Sequence, residues 1–148
     1  MLKISCTTNV VEALQALPLL VDLTALYPDF THWYVNKALP GIVLGHGTLL
    51  LAKDGQTLVG AALGKRSKKE TKLRCVRVLP AYQHTGVGVR LIDQALDALE
   101  CDKPHCTVAE EMLHLYSRLF VTRYGFKLDA VDKGVYRPRK LEYIFNAI

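Results

Sequence analysis

Gln83, His84, Thr85, Gly86, Val87 and Gly88 have the types and spacing to bind a pyrophosphate. They lie between an apolar, strand-like run over residues 73–79, closed by Pro80, and a helix-like run over 87–99. A helix start leaves its first backbone N–H groups without intrahelical partners, and its dipole favours negative charge there. Glycine removes the Cβ atoms that would hold phosphate oxygens away from those amides. Two glycines near a helix start also suit a plain turn. The strand before and the amphipathic helix after favour the cradle.

The elements that must position this cradle are legible from punctuation and periodicity. Residues 2–6 read as a first strand. Asn9 caps a helix running from Val10 towards Tyr27, with Pro18 kinking or splitting it. A second short helix spans 30–39 and ends at Pro40 and Gly41. Residues 48–53 and 57–64 form a hairpin about Asp54 and Gly55, and 71–79 form the next strand. The helix over 87–99 places Val87, Leu91, Ala95 and Leu99 on one face. A short buried strand (105–108), a helix (110–123) and two strands (126–131 and 141–145) follow. The order is β-α-α-β-β-β-α-β-α-β-β, an α/β fold of mixed α+β type expected to form one domain over residues 1–148.

Half of the residues are hydrophobic, ample for one core. No apolar run reaches the roughly 18 residues of a membrane span, and the first residues lack a signal-peptide pattern. A cytoplasmic protein with no membrane partner is the expectation. The four cysteines do not make a disulfide framework at this length. Cys75 reads as a small hydrophobe within a strand. Cys101 and Cys106 lack a second pair at ligand spacing, so no metal is expected. The net charge of +5 is concentrated at residues 65–69 and 137–140, which could face RNA, draw in an anionic ligand or be solvated turns.

The stretch from Val78 to Ile92 closely resembles the acetyl-CoA signature of the GCN5-related N-acetyltransferases (GNAT). That signature reads Val-x-Pro-x-x-(Gln/Arg)-x-x-Gly-x-(Gly/Ala) before an apolar helix. Tyr124, Gly125 and Phe126 resemble the Gly-Phe that commonly precedes the sixth strand of that family. The resemblance implies about seven strands in a mixed sheet, splayed between the fourth and fifth, flanked by about four helices. It implies acetyl-CoA as cosubstrate. The pantetheine arm would lie along Cys75, Val76, Arg77 and Val78, and the pyrophosphate on the amides from Gln83 through His84, Thr85, Gly86, Val87 and Gly88 to Val89. A backbone N–H near Val76 would polarise the thioester carbonyl.

The same resemblance implies an amine acceptor that attacks directly in a ternary complex. The amine must lose a proton first. Glu70, just before the fourth strand, is the first candidate for the base, with Glu110 and Glu111 behind it; pairing with neighbouring lysines is the competing role for Glu70. Many relatives place a leaving-group acid, a Tyr, four residues before the Gly of Gly-Phe. That position is Val121 here, and Tyr116 and Tyr124 are the substitutes. Tyr27, Trp33 and Tyr136 put aromatic surface opposite the acetyl group, although Trp33 also suits the core.

The leading expectation is an N-acetyltransferase. Its acceptor is a small molecule, a protein or, in a toxin-like version with an antitoxin partner, aminoacyl-tRNA. A homodimer is a further candidate assembly. The missing Tyr at 121 favours an alternative, a non-catalytic acetyl-CoA-sensing module that regulates a partner protein. A basic RNA-binding domain is the third reading.

Overall fold

The computed structural model describes residues 1–147. Strands β1 (Leu2–Thr7), β2 (Gly47–Asp54), β3 (Thr57–Arg66) and β4 (Thr71–Val78) form an antiparallel sheet in that order. Strands β5 (Cys106–Ala109), β6 (Leu128–Lys133) and β7 (Leu141–Phe145) form a second antiparallel sheet, ordered β5-β7-β6.

The two sheets meet along a single parallel contact. Leu73 N–H donates to His105 O (3.0 Å) and His105 N–H to Thr71 O (2.9 Å). Beyond Leu73, β4 and β5 pair no further, and a β-bulge against β3 falls at that point, between Leu63 and Gly64. The expected splay between the fourth and fifth strands is therefore present.

Helical structure falls into four stretches. The first is broken into α1 (Val10–Gln15), α2 (Leu17–Leu20) and a 3₁₀ turn (Val21–Ala25), with Pro18 in the first turn of α2. Asn9 caps α1 by accepting from the N–H groups of Val11 (2.8 Å) and Glu12 (3.0 Å). The second runs from α3 (Phe30–Trp33) through a π turn (Tyr34–Ala38) into α4 (Leu39–Leu44). Pro40 does not end this helix as its sequence suggests. The wide turn before it starts a new helical segment, and Pro40 sits near that segment's N-terminus, where a missing N–H is tolerated. Gly45, at φ +88°, ends it. The third stretch is α5 (Val87–Leu99). The fourth is α6 (Leu113–Arg118), which continues through a π turn (Leu119–Arg123).

The first sheet is buried on both faces, which explains its long apolar runs. Leu49, Leu51, Ala61 and Leu63 pack under α1–α4, together with Leu20, Tyr34 and Ile42. Leu50, Ala52 and Ala62 pack on the opposite side, against Val87, Leu91, Ile92 and Ala95 of α5 and Phe120, Phe126 and Phe145. Burying each large side chain of α5 is worth about 1.5–3 kcal/mol. That anchorage fixes the start of α5 beside the end of β4.

Candidate active site

Between β4 and β5 the backbone is left open on one side. Leu79 N–H donates to Val59 O (2.8 Å), which sets the phase of the β3–β4 ladder. By antiparallel alternation, Arg77 and Cys75 spend their backbone groups on Ala61 and Leu63, and Val76 and Val78 turn theirs into the gap. Of the four residues expected to line the opening with backbone groups, only these two do so. Their carbonyls are already used: Tyr116 Oη donates to Val76 O (3.1 Å), and Gln83 Nε2 to Val78 O (3.2 Å). Among the described residues the two N–H groups have no backbone partner, which leaves a pair of donors facing the gap.

After an interruption, the loop that follows β4 supplies a second row of donors. Pro80–Tyr82 makes a 3₁₀ turn that returns Gln83 N–H to Pro80 O (3.3 Å), so Gln83 does not offer its amide as expected. From His84 to Val89, no amide has a backbone partner among the described residues; Arg90 is the first that does, to Gly86 O (3.1 Å). His84 (φ +64°) and Gly86 (φ +90°) are left-handed, which turns successive N–H groups into one concavity. Thr85 Oγ1 donates to Tyr82 O, and Tyr82 Oη to Asp54 Oδ2 (2.8 Å), tying the loop to the β2–β3 hairpin. A Cβ built on Gly86 would meet nothing within 4 Å, and one on Gly88 only Val78 Cγ2 at 3.7 Å. The glycines keep this concavity open, and its donor set suits a diphosphate.

Two cavities occupy the splay. One, about 220 Å³, lies along Val76, Arg77, Val108, Met112, Tyr116 and Phe120. The other, about 390 Å³, is walled by Tyr27, Phe30, Trp33, Arg74, His105 and Tyr136. They join at Tyr27, Leu73, Arg74, Cys75, Cys106 and Thr107, which line both. Trp33 is thus half-buried with its ring on the cavity, and the Arg74 guanidinium lies 4.9 Å above that ring. Tyr27 meets Tyr136 edge-on at 5.0 Å.

The candidate acids and bases separate. Tyr116 stands at the gap, and burial raises its pKa. Tyr124 stands elsewhere: its hydroxyl donates to Asp93 Oδ1 on α5 (2.6 Å), and burial with that bond pushes its pKa up to about 12. Val121 is exposed. From 121 back to 116 is one helical turn plus one residue, and the π turn at Leu119–Arg123 takes up the odd residue.

Glu70 lies outside both cavities, held by Lys72 (3.2 Å) and Lys65 (3.4 Å); its bond to Lys72 leads the causes that lower its pKa. Glu111 is clamped by Arg137 through two 2.6 Å bonds, and Glu110 accepts from Leu141 N–H (2.8 Å). The carboxylate that periodicity did not single out is Glu142 of β7. It is 3% exposed, accepts from Tyr27 Oη (2.7 Å), and its pKa is raised, chiefly by burial. Nothing in its local sequence sets it apart; only the pairing of β7 with β5 brings it beneath Tyr27. Burial likewise pushes the Cys75 thiol up to about 12, which argues against a thiolate nucleophile. Among the described residues, no group of three or more His, Cys, Asp or Glu gathers as a metal site. No helix among them is long and apolar enough to cross a membrane.

A mixed fold split beside β4, with a concave row of amides at the next helix, is that of the acetyltransferases. The acetyltransferase (GNAT) family model matches residues 9–126, and the chain belongs to that family. Similar solved structures include a GNAT-family protein from Desulfovibrio desulfuricans (TM-score 0.71, 17% identity, covering 98% of this chain and 97% of that one). Another is the ribosomal-protein-S18-alanine N-acetyltransferase of Escherichia coli (TM-score 0.67, 18% identity, 98% and 92% covered). A third is a GNAT acetyltransferase of Elizabethkingia anophelis with acetyl-CoA bound (TM-score 0.62, 18% identity, 97% and 95% covered). At these identities the likeness is one of fold. Among curated proteins none matches the chain in sequence.

Proposed function

We propose that this acetyltransferase moves an acetyl group from acetyl-CoA to an amine by direct attack, with both substrates held in the opening between β4 and β5. The observation that carries this reading is the pairing of two sets of unpartnered N–H groups on one side of the opening, those of Val76 and Val78 on β4 and those of His84–Val89 at the start of α5. Acetyl-CoA supplies the activated acyl group as a thioester. The His84–Val89 amides hold its diphosphate, and Val78 N–H takes a polar group of the pantetheine arm. Val76 N–H is the donor available to a carbonyl oxygen that gains charge during attack.

Tyr116 Oη, beside Val76, is the proton donor for the departing sulfur. Its raised pKa keeps it protonated across the neutral range. The Tyr27–Glu142 pair is the proton acceptor for the amine, because Tyr27 lines both cavities and Glu142 is the buried carboxylate bonded to it. A raised carboxylate pKa makes a better base near neutrality. A tyrosine at the gap weighs against a non-catalytic sensing module. The basic clusters are in part engaged within the chain, Arg66 by Glu100 (2.8 Å) and Arg137 by Glu111 (2.6 Å), which weakens the RNA reading.

Calorimetric titration with CoA, followed by thiol release from acetyl-CoA in the presence of an amine panel, tests the proposal. Saturable binding and amine-dependent release are expected. Absence of CoA binding would overturn it.

A further inference from the structure

The larger cavity carries a cation with no direct ion-pair partner among the described residues. Arg74 is half-buried, and its guanidinium has no carboxylate or carbonyl partner among the described residues. Nearby arginines differ: Arg77 meets Asp22 (2.9 Å), and Arg137 meets Glu111. Stacking on Trp33 satisfies the face of the guanidinium but not its in-plane N–H donors. Burial lowers the pKa of Arg74, so holding it charged here has a cost that an anion would offset. Lys72 lines the same cavity as a second cation, though its ammonium is engaged by Glu70 (3.2 Å).

We propose that the acceptor is an amino acid, an amine bearing a carboxylate and an aromatic or large apolar side chain. The carboxylate would meet Arg74. The side chain would lie among Tyr27, Trp33 and Tyr136. The proposal rests on the reading that the acyl donor occupies the smaller cavity. A cavity of about 390 Å³ suits a ligand of amino-acid size. Arg74 lines both cavities, so a carboxylate held there keeps the adjacent amine at their junction, near Val76. Asp29 is the one acidic residue among those lining the larger cavity, so an amine without an anionic group finds a cationic wall. In the reaction the C–N bond of the amide forms and the C–S bond of the thioester breaks. The amine proton passes to the Tyr27–Glu142 pair, and CoA leaves as its thiol.

Thiol release is measured with phenylalanine, tyrosine, tryptophan, leucine and methionine, each against the amine made by its decarboxylation. At least one amino acid is expected to exceed its decarboxylated partner by about tenfold or more in kcat/KM, the scale of one charge-assisted hydrogen bond. Arg74→Gln should bring that ratio close to one, chiefly through KM, with CoA affinity by calorimetry within about twofold of the parent. Arg74→Lys should restore part of the preference, because it keeps the charge but not the planar fork. CoA binding with equal or greater turnover of the decarboxylated amines, or with no turnover of any amino acid, overturns the proposal and leaves the acyl-donor site standing. Loss of CoA binding in the parent protein would overturn the underlying reading instead, and this one with it.

Discussion

The Tyr116 hydroxyl donates to the Val76 carbonyl oxygen at 3.1 Å, across the opening between two strands that do not otherwise pair there. This bond joins the helix after β5 to the strand before the amide cradle. It also sets a phenolic proton beside the backbone group assigned to the acyl carbonyl.

Replacing Tyr116 by Phe should therefore lower kcat by roughly 10- to 100-fold, towards the low end of general-acid effects because a thiolate leaves readily. CoA affinity should change by less than about twofold. Because burial raises the pKa of Tyr116, the parent enzyme should show no alkaline loss of rate below the ordinary tyrosine value of about 10. Tyr124→Phe, which removes the bond to Asp93, should instead cost about 1 kcal/mol of stability with kcat held. Equal kcat losses in the two variants would show that the hydroxyl at the gap has no special role.

At the cradle, Gly86 and Gly88 call for different substitutions. Gly86 sits at φ +90°, which a β-branched residue adopts only under strain. Gly86→Val should lower the melting temperature along with CoA affinity, so it does not test the cradle cleanly. Gly88 lies within α5 with room for a Cβ, so Gly88→Val should reduce CoA affinity by tenfold or more and keep the melting temperature within a few degrees. Calorimetry and thermal melts on both variants separate the two effects.

The two carboxylates should answer pH differently. Glu70 is held below its ordinary value, first by its bond to Lys72, so it stays ionised around neutrality, and Glu70→Gln should leave the shape of the kcat/KM profile unchanged. Burial raises Glu142. As a base it works only when ionised, so activity should fall with decreasing pH through a pKa above its ordinary 4.5. Glu142→Gln should lower the rate at neutral pH and remove that acidic limb. A profile that Glu142→Gln leaves intact would exclude it from the proton path.

A stability prediction follows from Glu111. Its two bonds to Arg137 hold its carboxyl down at about 2, from an ordinary 4.5. A depressed carboxylate pKa means stability that is complete above the ordinary value and lost as pH falls from 4.5 towards 2. The Glu111 side chain is 37% exposed, so water screens much of the gain. Glu111→Gln should lower the melting temperature by about 1–4 °C at pH 6 and by much less at pH 2, where the folded carboxyl is about half protonated. A difference as large at pH 2 as at pH 6 would point to packing rather than the ion pair.

The order of elements was legible because it is written in local signals. Asn9 caps α1, Asp54 and Gly55 turn the hairpin, and the apolar spacing from Val87 to Leu99 marks α5. The helical stretch over 30–44 continues past Pro40, where local punctuation marks an end, since a π turn has no signature in hydrophobic period. Within the row of amides, the run from His84 was foreseeable, because glycine spacing and a helix start are local. That Gln83 is excluded, and that Cys75 and Arg77 turn their backbones away from the gap, depends on the phase of the β3–β4 ladder.

The sequence by itself determined the family, the place of the amide row at the start of α5 and the succession of strands and helices. Each of these follows from residues close together in the chain. Only the tertiary structure decided that Tyr116 reaches Val76, that Glu142 supports Tyr27 and that Arg74 lies unpaired over Trp33. Those relationships join residues about 40 to 115 positions apart. They exist because two sheets share one contact at Leu73 and His105 and then diverge, and no local pattern of residue types records the direction in which they part.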